Sequence, residues 1–600
     1  MAHQGAFRTM RTTPAVATAL LLAALPAAAL PESARAQQAP AAPTREELQA
    51  QAPAAETPRQ SRLTIEDTVE RGPCALADPA MAGVKVNFAN VSFTGLPDVP
   101  PGALDEAWRD LAGREQPIAT LCEVRDRAAT MLRRWGFLAT VQVPPQRIEA
   151  GGTVQFNVLA AKLVAVEVRG RPGHAERQIA AHLRQLTKRP WFNTQEAERQ
   201  LLLLRDLPGF DVRLTLRSAH AGPGEVIGEV MVQRRPVELI VGGQNLSSKA
   251  TGREGVMAQL TLNDLTGMGD RTVVSVYNTV QTGEQTVLQL AHDFAIGPDG
   301  LRLGGRFVYG RARPDIAGGA FVSHTWIGAA ELSYPFLRKQ TATLLGAAGF
   351  EAVDQLIDFG GTRLSADRLR IAYGRLDGRL VDSASLAGRE GFTLAEPRLG
   401  LSGSLEVRKG LAGLGASSAC VPLTVCLPPH VPITNLAANP QGALVRAEAT
   451  VEFRPARAVT LVLRPRAQYS SSQLLSYEQF TLGNYTVGRG YDPGAVQGDK
   501  GVALGAELRL GRLRPRSAED IALQPYGFVD AGWAWTNDNG LTPVRHLVSA
   551  GGGVRARWGD RGDFNLLLAV PLERAPGQSQ LGPARVLLTF TTRLVPWSVQ

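Results

Sequence analysis

The segment Val487-Gly488-Arg489-Gly490-Tyr491 sets one guanidinium between two glycines and follows it with a tyrosine. Glycine gives such a loop the backbone freedom to fold back on itself, and arginine offers a planar fork of donors suited to a carboxylate. A matching carboxylate stands in Tyr526-Gly527-Phe528-Val529-Asp530-Ala531-Gly532. Along a strand, alternation sets Tyr526, Phe528 and Asp530 on one face and Val529, Ala531 and Trp533 on the other. Asp530, with Phe528 and Gly532 beside it, is therefore the candidate partner of Arg489 if the loop folds inward. On composition alone, a mobile surface loop with a solvated arginine is the simpler reading; the flanking strand shifts the balance.

The chemistry implied is a conformational clamp rather than catalysis. There is no G-x-S-x-G, no H-E-x-x-H and no phosphate loop, and the eight histidines are scattered. No enzymatic activity, cofactor or metal site is expected. Arg561-Gly562-Asp563 falls where a tight turn between two strands is due.

The elements that must position the clamp are strands. From Val237 to Leu594 there are about sixteen alternating segments, an even number within the range of bacterial barrels. Leu399, Leu401, Gly403, Leu405 and Val407 share a face opposite Ser402, Ser404 and Glu406; Val502, Leu504, Ala506, Leu508 and Leu510 lie opposite Glu507 and Arg509. The polar faces carry full charges of both signs, and Trp533, Trp535 and Trp558 stand near segment ends. That is the pattern of apolar residues toward lipid, polar residues toward a lumen, and aromatic girdles. Strands in hydrocarbon must pair on both edges, so the sheet must close. An array of soluble β-sandwiches is the competing reading. The expected fold is mainly β: a sixteen-stranded antiparallel transmembrane barrel over residues 236–600.

Ahead of it, two units repeat the order β-α-α-β-β, over 81–160 and 161–235. In the first, 102–111 and 118–135 read as helices, the latter with Leu121, Val124, Ala128, Met131 and Trp135 on one face. In the second, Asn193 is a candidate cap for a helix reaching Leu207. Residues 37–80 read as a linker, with a short helix over 44–52 suggested by the capping-box spacing of Thr44 and Glu47 and stopped by Pro53. Residues 1–36 read as a secretory signal: Arg8 and Arg11, an apolar run, and a small-x-small site ending at Ala36. An oxidising compartment then favours two disulfides, Cys74 with Cys122 and Cys420 with Cys426. The formal charge of +9 is dispersed among 55 acids, which argues against a nucleic-acid partner.

The V-G-R-G-Y segment resembles the V-R-G-[YF] loop motif of the two-partner-secretion transporters, the haemolysin secretion/activation family, with Gly488 as an insertion. Phe528-Val529-Asp530-Ala531-Gly532 is similar to that family's F-x-D-x-G strand motif. Glu198 to Gly209 resembles the helix of its second periplasmic domain, and Gly136-Phe137 through Pro145-Gln146 the end of its first. The resemblance implies two periplasmic POTRA domains, a sixteen-stranded barrel, an inward loop whose arginine pairs with the strand aspartate, and an N-terminal helix able to plug the pore. It also implies export, without ATP, of a large partner exoprotein carrying an N-terminal secretion domain. That partner is expected to add to the strand edge around 210–217, at Phe210, Val212 and Leu214. Outer-membrane lipid is the other expected contact, and the chain is expected to act as a monomer. The alternatives are a factor that inserts other barrels, or a passive porin.

Overall fold

The computed structural model describes residues 42–50, 63–65, 74–170, 173–219, 224–281, 283–316, 319–426, 429–541 and 543–596. The expected signal segment and Pro53 lie outside them.

Sixteen long antiparallel strands, from Val237–Gln244 to Arg585–Val595, form a closed barrel; a two-residue strand, Asp315–Ile316, pairs only with the start of the sixth. The first strand pairs with the last, from Ile240 opposite Arg593 to Gln244 opposite Thr589, so neither edge is left bare. Three successive strands, Gly319–Arg338, Ala342–Phe359 and Thr362–Val381, run to 18–20 residues, about twice what a bilayer needs. Leu399, Leu401, Leu405, Val407, Val502, Leu504, Leu508 and Leu510 are each 42–51% exposed on the barrel's outer wall. In the same strands Arg408 and Glu507 are buried within the lumen. This inversion of the soluble pattern is what a lipid-facing exterior requires. Among the described residues no helix is long and apolar enough to cross a membrane.

Two small α+β units precede the barrel. The first has a three-stranded sheet in the order Phe88–Thr94, Gly152–Ala160, Ala139–Gln142, covered by the helix Thr120–Arg134. Leu121, Val124, Ala128 and Leu132 are its fully buried residues, whereas Trp135 is 46% exposed. The helix ends before Trp135, so the apolar stripe turns inward through Leu132 instead. The expected helix over 102–111 is two short 3₁₀ turns, Asp105–Ala107 and Arg109–Leu111. Pro100, Pro101 and the positive-φ Gly102 lead into these turns, and the positive-φ Gly113 follows them. The disulfide Cys74–Cys122 staples the unit's leading segment to its helix.

The second unit packs helices Glu176–Thr187 and Thr194–Arg205 on a sheet of Phe210–Ser218, Glu225–Arg234 and Lys162–Gly170. The Asn193 side chain caps the second helix, accepting from the Gln195 and Glu196 amides at 2.9 and 3.4 Å. A fourth strand was not expected: Leu63–Ile65 pairs in parallel with Leu214–Leu216.

Candidate functional site

The connection between the eleventh strand, Val459–Ser470, and the twelfth, Lys500–Leu510, does not stay at the surface. It enters the barrel, where Phe480–Leu482 and Val496–Gly498 form a small hairpin. Phe480, Leu482, Val487, Tyr491 and Val496 build a buried apolar core with Ala503, Ala534 and Leu547 of the wall. An apolar anchor of this kind orders a loop that would otherwise lose too much entropy on folding inward.

The core sets Arg489 against the thirteenth strand, Ile521–Trp535. Its Nε and Nη2 donate to the two carboxylate oxygens of Asp530 at 2.9 and 2.7 Å. The amides of Gly488 and Arg489 donate to the same group at 3.3 and 3.0 Å. The guanidinium also lies 3.6 Å from the ring centroid of Phe528. A bidentate pair, two backbone donors and a stacked ring make a clamp with directional as well as ionic character.

Gly488 has a role in this geometry. Its φ is +118°, and a Cβ there would fall 2.5 Å from Leu547 Cδ1. The extra residue turns two consecutive amides onto Asp530. Gly532 gives room from the other side, since a Cβ on it would meet Leu482 at 2.7 Å. Tyr491 fixes the loop's far limb: its hydroxyl lies 2.7 Å from the Val548 carbonyl and 2.9 Å from that of Glu573, and accepts from the Glu573 amide at 3.2 Å. The structure thus brings Val487 through Tyr491 together with Phe528, Asp530 and Gly532.

A second carboxylate belongs to the site. Glu507, on the twelfth strand and 1% exposed, takes Arg489 at 3.1 Å, Arg464 at 3.0 Å, Arg509 at 2.8 Å and Arg555 at 2.7 Å. Alternation places Glu507 in the lumen, but its convergence with arginines from the loop and the eleventh, twelfth and fourteenth strands is tertiary.

The helix Arg45–Ala50 also lies in the lumen. Thr44 Oγ1 caps it by accepting from the Glu47 amide at 3.2 Å. Gln285 donates to the Glu47 carboxylate at 3.1 Å, Gln289 to the Leu48 carbonyl at 2.8 Å, and Thr481 of the inward loop to Glu46 at 3.0 Å. Leu48 is 1% exposed among Tyr277, Val287, Val308 and Ile327. Short as it is, the helix makes contacts on both the wall and the loop.

The expected docking edge is not open. Phe210, Val212 and Leu214 turn into the second unit's core, each at most 7% exposed, and Leu63–Ile65 fills the edge from Leu214 to Leu216. The Cys420–Cys426 bridge lies in the connection after the ninth strand, Leu399–Gly410, far along the chain from the clamp. Among the described residues no group of His, Cys, Asp or Glu side chains is arranged to hold a metal.

Residues 386–556, which include both halves of the clamp, match the model of the haemolysin secretion/activation protein family ShlB/FhaC/HecB. The resemblance to two-partner-secretion transporters holds. CdiB from Escherichia coli superposes with a TM-score of 0.66 at 16% identity, over 92% of this chain and 95% of its own. CdiB from Acinetobacter baumannii gives 0.61 at 16% identity, over 91% and 96%. These likenesses agree with the fold described above: two small POTRA-type α+β domains and a sixteen-stranded barrel. No curated protein matches the chain in sequence. A closed barrel with this exterior belongs in the outer membrane, with the small domains on the periplasmic side.

Proposed function

We propose that this barrel protein secretes one large partner exoprotein, unfolded, from the periplasm to the cell exterior without ATP. The observation that carries the reading is the pairing of an inward loop, clamped through Arg489, with a helix lodged in the same lumen. A passive porin needs neither, and needs no periplasmic domains. The helix is held by polar contacts and one buried leucine, contacts that an arriving chain can exchange for its own. The energy for export then comes from the partner folding outside.

Partner docking on the Phe210–Ser218 edge by strand addition requires Leu63–Ile65 to leave first. Since that strand follows the lumen helix in sequence, docking and unplugging draw on the same segment of chain. The test compares culture supernatants and outer-membrane fractions from cells with and without the gene. Loss of one large secreted protein, with other barrels intact, supports the reading. Broad depletion of outer-membrane barrels would replace it with an assembly role, and no protein change would leave a pore alone.

A further inference from the structure

The lumen helix, the periplasmic half of the barrel wall and the second POTRA domain enclose a cavity of about 2150 Å³. Seventeen arginines and no lysine line it, against ten carboxylates. The chain as a whole carries +9, so most of its excess charge is concentrated on this one surface.

The two signs are not held alike. Asp206, Asp293, Glu331, Glu406, Glu448 and Glu452 each lie within ion-pair distance of a lining arginine. By contrast, no carboxylate comes within that distance of Arg205, Arg379, Arg514 or Arg516 among the described residues. Arg205, on the second helix of the second POTRA domain, has its pKa lowered to about 10 by burial and then by the neighbouring Arg338; Asp206 and Asp211 oppose the shift, and Arg379 adds to it. Burial and like charge there outweigh the two nearby carboxylates, so a further anion would be favoured beside the guanidinium.

We infer that the lumen is built to receive net-acidic, carboxylate-rich polypeptide, with Arg205 and Arg379 at the periplasmic mouth as its first contacts. This rests on the export reading and adds the chemical class of its substrate. Arginine suits such a lumen because its fork takes a carboxylate bidentately, and its weakly hydrated charge exchanges one partner for another at low cost. An extended chain advances about 3.3 Å per residue, so its carboxylates pass the lining guanidiniums in turn. A lysine-rich chain meets the same field as a barrier, focused by the low-dielectric wall and little screened within a Debye length of about 8 Å.

The test uses the full-length protein in planar bilayers under a KCl gradient, with a Leu48→Asp variant to raise the open fraction. The reversal potential should have the sign of an anion-selective pore, with Cl⁻ preferred over K⁺ at least about threefold. Polyglutamate on the periplasmic side should block the current at about tenfold lower concentration than polylysine of the same length. Arg205→Gln with Arg379→Gln, in a barrel that inserts normally, should remove most of that difference. Cation selectivity, or equal block by the two polymers, overturns the inference. Neither result touches the export reading, which fails if deletion of the gene leaves the secreted proteins unchanged or depletes outer-membrane barrels broadly.

Discussion

Asp530→Asn is the sharpest perturbation of the clamp, because it keeps the shape of the side chain and removes its charge. In the structure Asp530 accepts four hydrogen bonds from the loop, two from the guanidinium and two from backbone amides. Breaking one partner of a buried ion pair costs about 3–5 kcal/mol. The lower end applies here, since Arg489 keeps Glu507 at 3.1 Å, although Glu507 is shared among four arginines. About 3 kcal/mol corresponds to a shift of roughly a hundredfold between the inward and released loop. Amide exchange read by mass spectrometry over a peptide spanning 481–496 measures that equilibrium directly. The loop should exchange about a hundredfold faster in the variant, while strands remote from it keep their protection. Exchange unchanged within about threefold, in a barrel that inserts normally, would refute the clamp as the determinant of loop position. If Arg489→Ala and Asp530→Ala both insert and still secrete at full rate, the clamp has no part in export either.

Other consequences are as direct. Leu48→Asp should free the lumen helix, because it exchanges about 1.5–3 kcal/mol of apolar burial for a buried charge; the readout is higher open-pore conductance in bilayers, and an unchanged closed state would count against plugging. Replacing Cys74 and Cys122 by serine should cost the first POTRA domain about 4 kcal/mol on the chain-entropy estimate for a bridge spanning 48 residues, seen as protease sensitivity confined to that domain. Burial lowers the pKa of His182, with the hydrogen bond to Gln200 opposing. Its contribution is therefore complete above the ordinary histidine value of about 6.5 and is lost as pH falls through the lowered folded value. Exchange over 176–187 should rise on acidification, and His182→Gln should flatten that response.

What the sequence discloses of this molecule follows from where its environments alternate. Each barrel strand faces lipid on one side and a charged lumen on the other, so its two-residue period stays legible without any neighbour. The loop and strand halves of the clamp are readable for a related reason: Arg489 between glycines and Asp530 on a strand's polar face are local features. Three things are not local. Glu507 shows its face but not the arginines that gather on it. Leu63–Ile65 is too short to carry a period, and only the exposed edge at Leu214–Leu216 makes it a strand. Arg45–Ala50 is a helix of six residues, well below what is stable alone, and the lumen supplies the contacts that hold it. The hidden elements include the helix lodged in the lumen and the strand that covers the Leu214–Leu216 edge. On the proposed export reading these segments leave when a partner arrives, and a helix or strand stable by itself would resist release. Weak local signal in just these segments is what that reading requires.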